Sequence, residues 1–242
     1  MDLDFTSNGI ICSEFKDRII HLLDSKTYYD IRFRVEPYER LVDDDSAFGA
    51  DVNYIHSWRE SNFKLEVSFR ESPILPVKKI QLKEEELYWR YCDFQPFKVP
   101  CMELEELIAE KLRAAHERTS SRDLYDLYIY SQGAFDEDKV RSMAVLKCWN
   151  SKTFFDPALL VEKIQGDEYD WDDLRRLVRP ERMPAEREII ERVCQRYSFL
   201  RSLDENLTLI QRDAKRHKEE KRVNYVIEML NHKAQSASAP QN

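Results

Sequence analysis

Residues 63–71, FKLEVSFRE, are the stretch that decides the fold, because apolar and polar side chains alternate through it without a break. A period of two residues places alternate side chains on opposite faces of a β-strand. The polar positions include Lys64, Glu66 and Arg70, which we expect to face away from the core. The stretch therefore predicts a half-buried strand whose apolar face consists of Phe63, Leu65, Val67 and Phe69.

The segments before this strand predict the rest of a small α/β portion. Ser13 is placed to cap a helix over residues 14–25, EFKDRIIHLLDS, in which apolar residues recur at helical spacing. Residues 28–37, YYDIRFRVEP, alternate as a second strand. Residues 41–51, LVDDDSAFGAD, are acidic and predict a loop.

The sequence changes to helical patterns after Pro100. Residues 102–118, MELEELIAEKLRAAHER, predict a strong helix. Residues 119–133, TSSRDLYDLYIYSQG, predict another helix that begins behind a serine cap and stops at Gly133. Further helices are predicted over residues 136–149, 157–164, 170–178, 185–202 and 205–232.

Together these patterns predict an α+β protein, in which a small mixed β-sheet flanked by helices is followed by a C-terminal helical bundle. We expect an α/β domain over residues 1–100 and a helical domain over residues 101–232. The small and polar segment 233–242 predicts a disordered tail.

Composition limits the class of protein. The chain has 242 residues, is 42% hydrophobic and 35% charged, and contains four glycines, which favours a helix-rich protein over a β-sandwich or barrel. No stretch approaches the roughly 20 apolar residues of a membrane span, and the acidic start does not match a secretion signal. The five cysteines lack the CxxC spacing of a zinc site. We therefore expect a cytoplasmic protein in a reducing environment, without a membrane partner.

The formal net charge of −8 argues against indiscriminate nucleic-acid binding, but the charge is uneven. Residues 175–222 contain 14 Lys and Arg against 9 Asp and Glu. This segment either offers a surface that faces phosphates or consists of well-solvated helices.

Three acidic residues on predicted strands form the first candidate site. Asp2 and Asp4 share one edge of an opening strand, about 7 Å apart along it. Glu66 lies on the polar face of a later strand. Three such carboxylates can hold two Mg²⁺ ions for phosphoryl transfer, whereas Glu66 considered alone is typical of a solvent-facing strand residue.

The second candidate site lies in the helical portion. Lys111 is on the polar side of one predicted helix, while Asp123 and Asp126 are three residues apart on the next. Arg122 is placed to pair with Asp126 at i,i+4. Such a lysine can bind triphosphate oxygens while an Arg/Asp pair orients it. Surface helices with ordinary salt bridges are the alternative.

The order of these motifs resembles the AbiEii/AbiGii toxin family of nucleotidyltransferases, within the polymerase-beta-like superfamily. The resemblance begins with DLDF at 2–5, continues through LEVSF at 65–69, and is most specific in ELIAEKLRAAHERTSSRDLYDLY at 106–128. YDWDDLRRLV at 169–178 and YSFLRSLDENL at 197–207 are similar to the helical C-terminal portion of the family.

The resemblance implies an enzyme, a nucleotidyltransferase with an NTP as substrate and Mg²⁺ as cofactor. Asp2 and Asp4 match the metal-binding aspartates of the family, and Glu66 matches the third strand carboxylate. Lys111 matches the essential lysine, and Asp126, with Asp123 beside it, matches the downstream acidic motif. Catalysis is thereby expected of Asp2, Asp4, Glu66, Lys111 and Asp126, and substrate binding of Lys111, Arg122 and Asp123.

Family membership also implies a toxin of a bacterial toxin–antitoxin or abortive-infection (phage-defence) system, with a cognate antitoxin encoded nearby. Some members add nucleotides to the 3′ end of tRNA, so an RNA acceptor is expected. The family places a Gly-Gly-Ser/Thr turn and a helix before the paired aspartates, where this sequence begins at Met1. A late start codon, a truncated gene or a separate chain would account for that. The alternative function is an inactive family member that binds protein or nucleic acid.

Overall fold

The chain divides into two compact units, residues 1–74 and 75–242. This division lies before the change in sequence pattern at residue 100, and the domain boundary expected there stays a prediction. The computed structural model gives the backbone alone at residues 2–4 and 233–237. It describes residues 2–7, 9–38, 46–57, 59–81, 97–166 and 168–237.

The first unit contains a five-stranded mixed sheet and one helix, α1, over Cys12–Leu23. The spatial order of the strands is β1-β5-β4-β3-β2. Strand β1 runs parallel to β5, whereas the other neighbouring strands are antiparallel. The strands are β1 (Asp2–Thr6), β2 (Thr27–Tyr28), β3 (Ile31–Pro37), β4 (Ala47–His56) and β5 (Arg59–Ser68).

One face of this sheet forms the core of the first unit. Along β5, Leu65 and Val67 are buried while Lys64 and Glu66 are exposed, so the predicted alternation is confirmed as far as Ser68, where the strand ends. Helix α1 covers the apolar face because its own apolar stripe needs a partner surface. The stripe consists of Phe15, Ile19, Ile20 and Leu23, which pack against Val35, Phe48, Ala50, Val52, Leu65 and Val67.

Two predictions for the first unit are wrong. Helix α1 begins at Cys12, one residue before the predicted Ser13 cap, and Ile11 precedes it without a side-chain cap. The predicted acidic loop over 41–51 is strand from Ala47 onward, while residues 39–45 lie outside the described residues. Phe48, Ala50 and Val52 are buried at alternate positions, which is the spacing of a strand. The acidic run before them made the segment look like a loop in the sequence.

The second unit opens with an antiparallel hairpin that sequence patterns did not predict, formed by β6 (Lys78–Gln81) and β7 (Lys98–Cys101). Helices then follow, packed around a core that includes Ile108, Leu112 and Met143. They are α2 (Leu104–Glu117), α3 (Ser121–Tyr130), α4 (Glu137–Asn150), α5 (Pro157–Gly166), α6 (Trp171–Leu177), α7 (Glu186–Arg196), α8 (Glu205–Asp213) and α9 (Glu220–Ala237). Short 3₁₀ turns occur at Pro180–Arg182 and Ser198–Arg201.

The helix predicted over 205–232 is two helices. The Asp213 carboxylate accepts hydrogen bonds from the backbone N–H groups of Lys218 and Glu219 at 2.7 and 2.8 Å, and from the Trp149 indole at 3.2 Å. His217 takes a positive φ of 52° and stacks on Trp149, which reverses the chain locally. Helix α9 continues to Ala237, so it includes the first residues of the segment expected to be disordered; residues 238–242 lie outside the description.

The predicted fold class is confirmed. A mixed sheet packs against a helix in the first unit, and a helical bundle follows in the second.

Candidate active site

Parallel pairing of β1 with β5 brings the three predicted metal ligands onto neighbouring strands. Asp4 is the register partner of Glu66, and Asp2 is the register partner of Lys64. The backbone alone is described for the two aspartates, whereas the Glu66 side chain is exposed on the sheet face opposite the α1 core. Register partners on adjacent strands lie about 5 Å apart, so the sheet aligns residues 4 and 66 side by side.

Lys111 joins α2 to α3 through two carboxylates. Its Nζ atom lies 2.6 Å from Asp126 Oδ2 and 3.3 Å from Asp123 Oδ1. The two aspartates occupy i and i+3 on α3, so both reach the same side of that helix. The structure therefore brings together three of the residues that the sequence indicated.

Arg118 completes this cluster and was not assigned a role from sequence. Its guanidinium group donates two hydrogen bonds to the Asp123 carboxylate, from Nε to Oδ2 at 2.8 Å and from Nη2 to Oδ1 at 3.1 Å. Its position in the sequence could have indicated this role, because Arg118 directly follows α2 and lies four residues before the Arg122–Asp123 pair of α3. Two cations therefore share a carboxylate whose side chain is only 1% exposed.

The charges in the cluster keep Asp123 ionised and Lys111 protonated. Burial raises the pKa of Asp123, but hydrogen bonds from Arg118 and the charge of Lys111 outweigh it, so the pKa is lowered. Burial lowers the pKa of Lys111, but the hydrogen bond and charge of Asp126, followed by those of Asp123, outweigh it, so the pKa is raised. Lys111 is consequently a fixed positive charge at neutral pH and not a proton acceptor.

Arg122 does not pair with Asp126, and that prediction is wrong. Its Nε lies 3.1 Å from Asp173 Oδ2 on α6, while the Asp126 carboxylate is engaged by Lys111. Next to this pair is a cavity of about 250 Å³ lined by residues 118–122 together with Asp170 and Asp173. Arg118 of the cluster and Arg122 therefore line the same cavity.

Over the residues with described side chains, no group of three His, Cys, Asp or Glu is arranged to hold a metal ion. Asp2 and Asp4 lie outside that set. The described helices include none with the length and apolar character needed to cross a membrane.

The first unit is a mixed sheet with Asp4 and Glu66 in register on adjacent strands, and the second is a set of helices that hold Lys111 charged. The model of the family described as nucleotidyl transferase AbiEii toxin, type IV TA system, matches residues 1–230. The chain belongs to this family of nucleotidyltransferase toxins, as the order of its motifs predicted. Type IV toxin–antitoxin systems pair such a toxin with an antitoxin.

One solved structure supports the fold, and a weaker match was also found. The nucleotidyltransferase toxin MenT4 of Mycobacterium tuberculosis is 24% identical, with a TM-score of 0.75 over 95% of this chain and 77% of that chain. A putative nucleotidyltransferase from Helicobacter pylori is 21% identical, with a TM-score of 0.43 over 88% of this chain and 79% of that chain. No curated protein matches the sequence significantly.

Proposed function

We propose that the protein is a Mg²⁺-dependent transferase that moves a nucleoside monophosphate from an NTP to an RNA end, with tRNA as the acceptor. The observation that carries this proposal is the pairing of Lys111 with Asp123 and Asp126, which holds one ammonium group charged and fixed. Phosphoryl transfer needs little from a protein beyond positioning and charge stabilisation, and a fixed cation supplies both.

The residues at the β1–β5 pair fit a magnesium centre by their chemistry. Asp2, Asp4 and Glu66 offer hard oxygen donors from two adjacent strands in register, and Mg²⁺ binds few protein carboxylates together with substrate phosphates. Bound there, magnesium would neutralise charge on the triphosphate and lower the pKa of the acceptor hydroxyl. The role of these three side chains is to fix the position of the metal.

We assign different roles to the two aspartates of α3. Asp126 is 38% exposed and makes the shorter contact with Lys111, so it orients the ammonium group toward substrate phosphate oxygens. Asp123 is buried between Lys111 and Arg118, so it anchors both cations. Arg122 and Arg118 border the adjoining cavity, where their guanidinium groups can bind phosphate oxygens.

In this proposal the protein acts in the bacterial cytoplasm, as a toxin whose RNA modification contributes to phage defence and is opposed by its cognate antitoxin. The family assignment supports the pairing with an antitoxin. The acceptor is implied by the resemblance described above, and the compartment is the one expected from the cysteine pattern and composition of the sequence.

A label-transfer assay tests the proposal. The purified protein is incubated with Mg²⁺, each of the four labelled NTPs in turn, and bulk tRNA, alongside the Asp4→Asn variant. We expect one NTP to label tRNA, and Asp4→Asn to abolish the label because one metal-binding carboxylate is lost. Equal labelling by both proteins would contradict the metal assignment. Labelling of another RNA, with tRNA unlabelled, would contradict the acceptor.

A further inference from the structure

A second polar cavity lies in the helical unit, between the end of α7 with the 3₁₀ turn that follows it and the start of α4. Its volume is about 280 Å³, which is below the roughly 300–1,000 Å³ of pockets that enclose a whole small ligand. This size suits one residue of a polymer. The lining consists of Glu137, Arg192, Gln195, Arg196, Ser198 and Phe199.

Arg196 forms a rigid, neutralised wall of this cavity. Its guanidinium carbon lies 3.9 Å above the centre of the Phe135 ring, and its Nη1 pairs with the Glu137 carboxylate. The Tyr197 ring is stacked with Phe135, with ring centres 5.8 Å apart and an 8° angle between planes. Phe135 therefore packs against both Arg196 and Tyr197, and these contacts hold the arginine in place.

Arg192 is different, because no carboxylate pairs with it among the residues that the structure describes. Its Nη2 donates to the backbone carbonyl of Ser131 at 3.2 Å, and its Nε donates to the Ser131 hydroxyl at 3.3 Å. Both acceptors are neutral, so the guanidinium is oriented without an ion pair of its own. The nearby carboxylates have other partners, since Glu188, one helical turn before it, accepts from Tyr128, and Glu137 pairs with Arg196. An oriented arginine without a carboxylate partner is suited to a phosphate group.

We propose that this cavity binds a backbone phosphate of the acceptor RNA, with Arg192 as the contacting group and Gln195 and Ser198 as neighbouring polar contacts. The inference rests on the proposed function, because it specifies where the RNA acceptor is held. It assigns Arg192 to binding of the RNA acceptor, at a site separate from the residues that surround Lys111.

The connection between the cavity and Lys111 runs along α3. Asp126 pairs with Lys111, and Ser131, five residues later, is held by Arg192. Five residues of an α-helix span roughly 7 Å along the axis, about the length of one nucleotide step in an extended strand. The same helix is therefore in contact with both the lysine proposed to face the triphosphate and the arginine that would bind the acceptor, roughly 7 Å apart along its axis.

Charge favours RNA as the occupant over an acidic peptide. Arg192 and Arg196 belong to the segment 175–222, whose 14 basic and 9 acidic residues contrast with the overall charge of −8. A polyanion with evenly spaced phosphates is attracted to such a local excess. A peptide carboxylate in the cavity is the competing occupant that the experiment must separate.

The experiment compares Arg192→Gln with Arg187→Gln, a matched change on the same helix. Arg187 is 87% exposed and pairs with Glu191, so its loss alters net charge equally without touching the cavity. Binding of fluorescent tRNA is measured by anisotropy across a salt series, and transfer is measured as KM for tRNA against kcat. Thermal melting confirms that both variants are folded.

We expect Arg192→Gln to raise the Kd and the KM for tRNA about tenfold and to reduce the salt slope by about one, with kcat and the KM for NTP unchanged. Arg187→Gln should change the Kd less than twofold. A second pair of variants tests the inference if Arg192→Gln does not fold. Gln195→Glu places a negative charge in the cavity and should weaken tRNA binding, whereas Gln165→Glu on α5 should not.

Equal effects of the Arg192 and Arg187 changes would overturn the inference while leaving the proposed function intact. Growth of cells that co-express the antitoxin gives a further test. If the antitoxin no longer neutralises Arg192→Gln while tRNA binding is unchanged, the inference is overturned and an acidic peptide is indicated as the occupant. Failure of the unsubstituted protein to bind or label any tRNA would overturn the proposed function, and this inference with it.

Discussion

At the scale of single residues, the proposed chemistry depends on Lys111 and the two carboxylates that flank it. The partners differ in environment, since Asp123 is buried with two cations and Asp126 is partly exposed with one. Removing one member of a buried ion pair leaves an uncompensated charge, whereas an exposed pair contributes little to stability. The two aspartates should therefore affect different properties of the protein when they are changed.

We predict that Asp123→Asn destabilises the helical unit by about 1–3 kcal/mol, because the buried side chain loses its charge-assisted hydrogen bonds with Lys111 and Arg118. Asp126→Asn should cost less than about 1 kcal/mol in stability yet lower the transfer rate at least tenfold, because Lys111 loses its orienting contact. Urea unfolding and single-turnover transfer measure the two effects. Equal destabilisation by both changes would contradict the assigned roles.

The lowered pKa of Asp123 also predicts a dependence of stability on pH. Its ordinary pKa is 3.8 and its folded pKa is lower, so folding favours the ionised form. The resulting stabilisation is present above the ordinary pKa and is lost as pH falls through the folded pKa. The difference in unfolding free energy between the unsubstituted protein and Asp123→Asn should be constant from pH 5 to 7 and shrink below about pH 4. A difference that grew with acid would contradict the charge assignment.

Sequence patterns indicated which residue types belong to the site but not all of their partners. Lys111, Asp123 and Asp126 follow from motif and spacing, because residues on two consecutive helices are close in the chain. The contact of Arg122 with Asp173 joins residues far apart in sequence, and no local pattern reveals it. Arg118 was overlooked because it follows the end of α2, where helical spacing no longer specifies direction.

At the scale of elements, a buried lysine connects α2 to α4. Lys147 is 1% exposed, and its Nζ lies 2.8 Å from both Glu106 Oε1 and Glu110 Oε1. The other oxygen of Glu106 accepts the backbone N–H of Leu75 at 2.9 Å, where the second unit begins. The helix that presents Lys111 is thus fixed by charge as well as by apolar packing.

We predict that Lys147→Met destabilises the helical unit by about 3–5 kcal/mol, because Glu106 is left buried without its cation. Lys139→Met, on the same helix, should change stability by less than about 0.5 kcal/mol, since the described residues include no ion-pair partner for its side chain. Chemical denaturation followed by circular dichroism compares the two variants. Similar stability of both would show that the buried ion pair does not support α2.

Element boundaries were predictable where one physical signal dominated. The alternation in residues 63–71 and the helical spacing in α2 gave correct elements because a single apolar face decides each of them. Strand β4 was missed because its buried residues follow an acidic run, and the break between α8 and α9 was missed because it depends on Trp149 and Asp213, which are distant in sequence.

At the scale of the whole molecule, the proposed function requires residues from each of the two units. The sheet unit aligns Asp4 with Glu66, and the helical unit holds Lys111 charged. Phosphoryl transfer requires both a metal-binding set and a cation for the phosphate oxygens. Residues from both units should therefore be necessary for one reaction.

The measurement that tests this most directly is the single-turnover rate of nucleotide transfer to tRNA with saturating NTP and Mg²⁺. We predict that Glu66→Gln and Lys111→Met each lower the rate by roughly 10²–10³-fold, as expected when one charge-stabilising group is removed. Lys221→Met, which changes an exposed lysine on α9, should leave the rate within about twofold of the unsubstituted protein. Full activity in either Glu66→Gln or Lys111→Met would contradict the account.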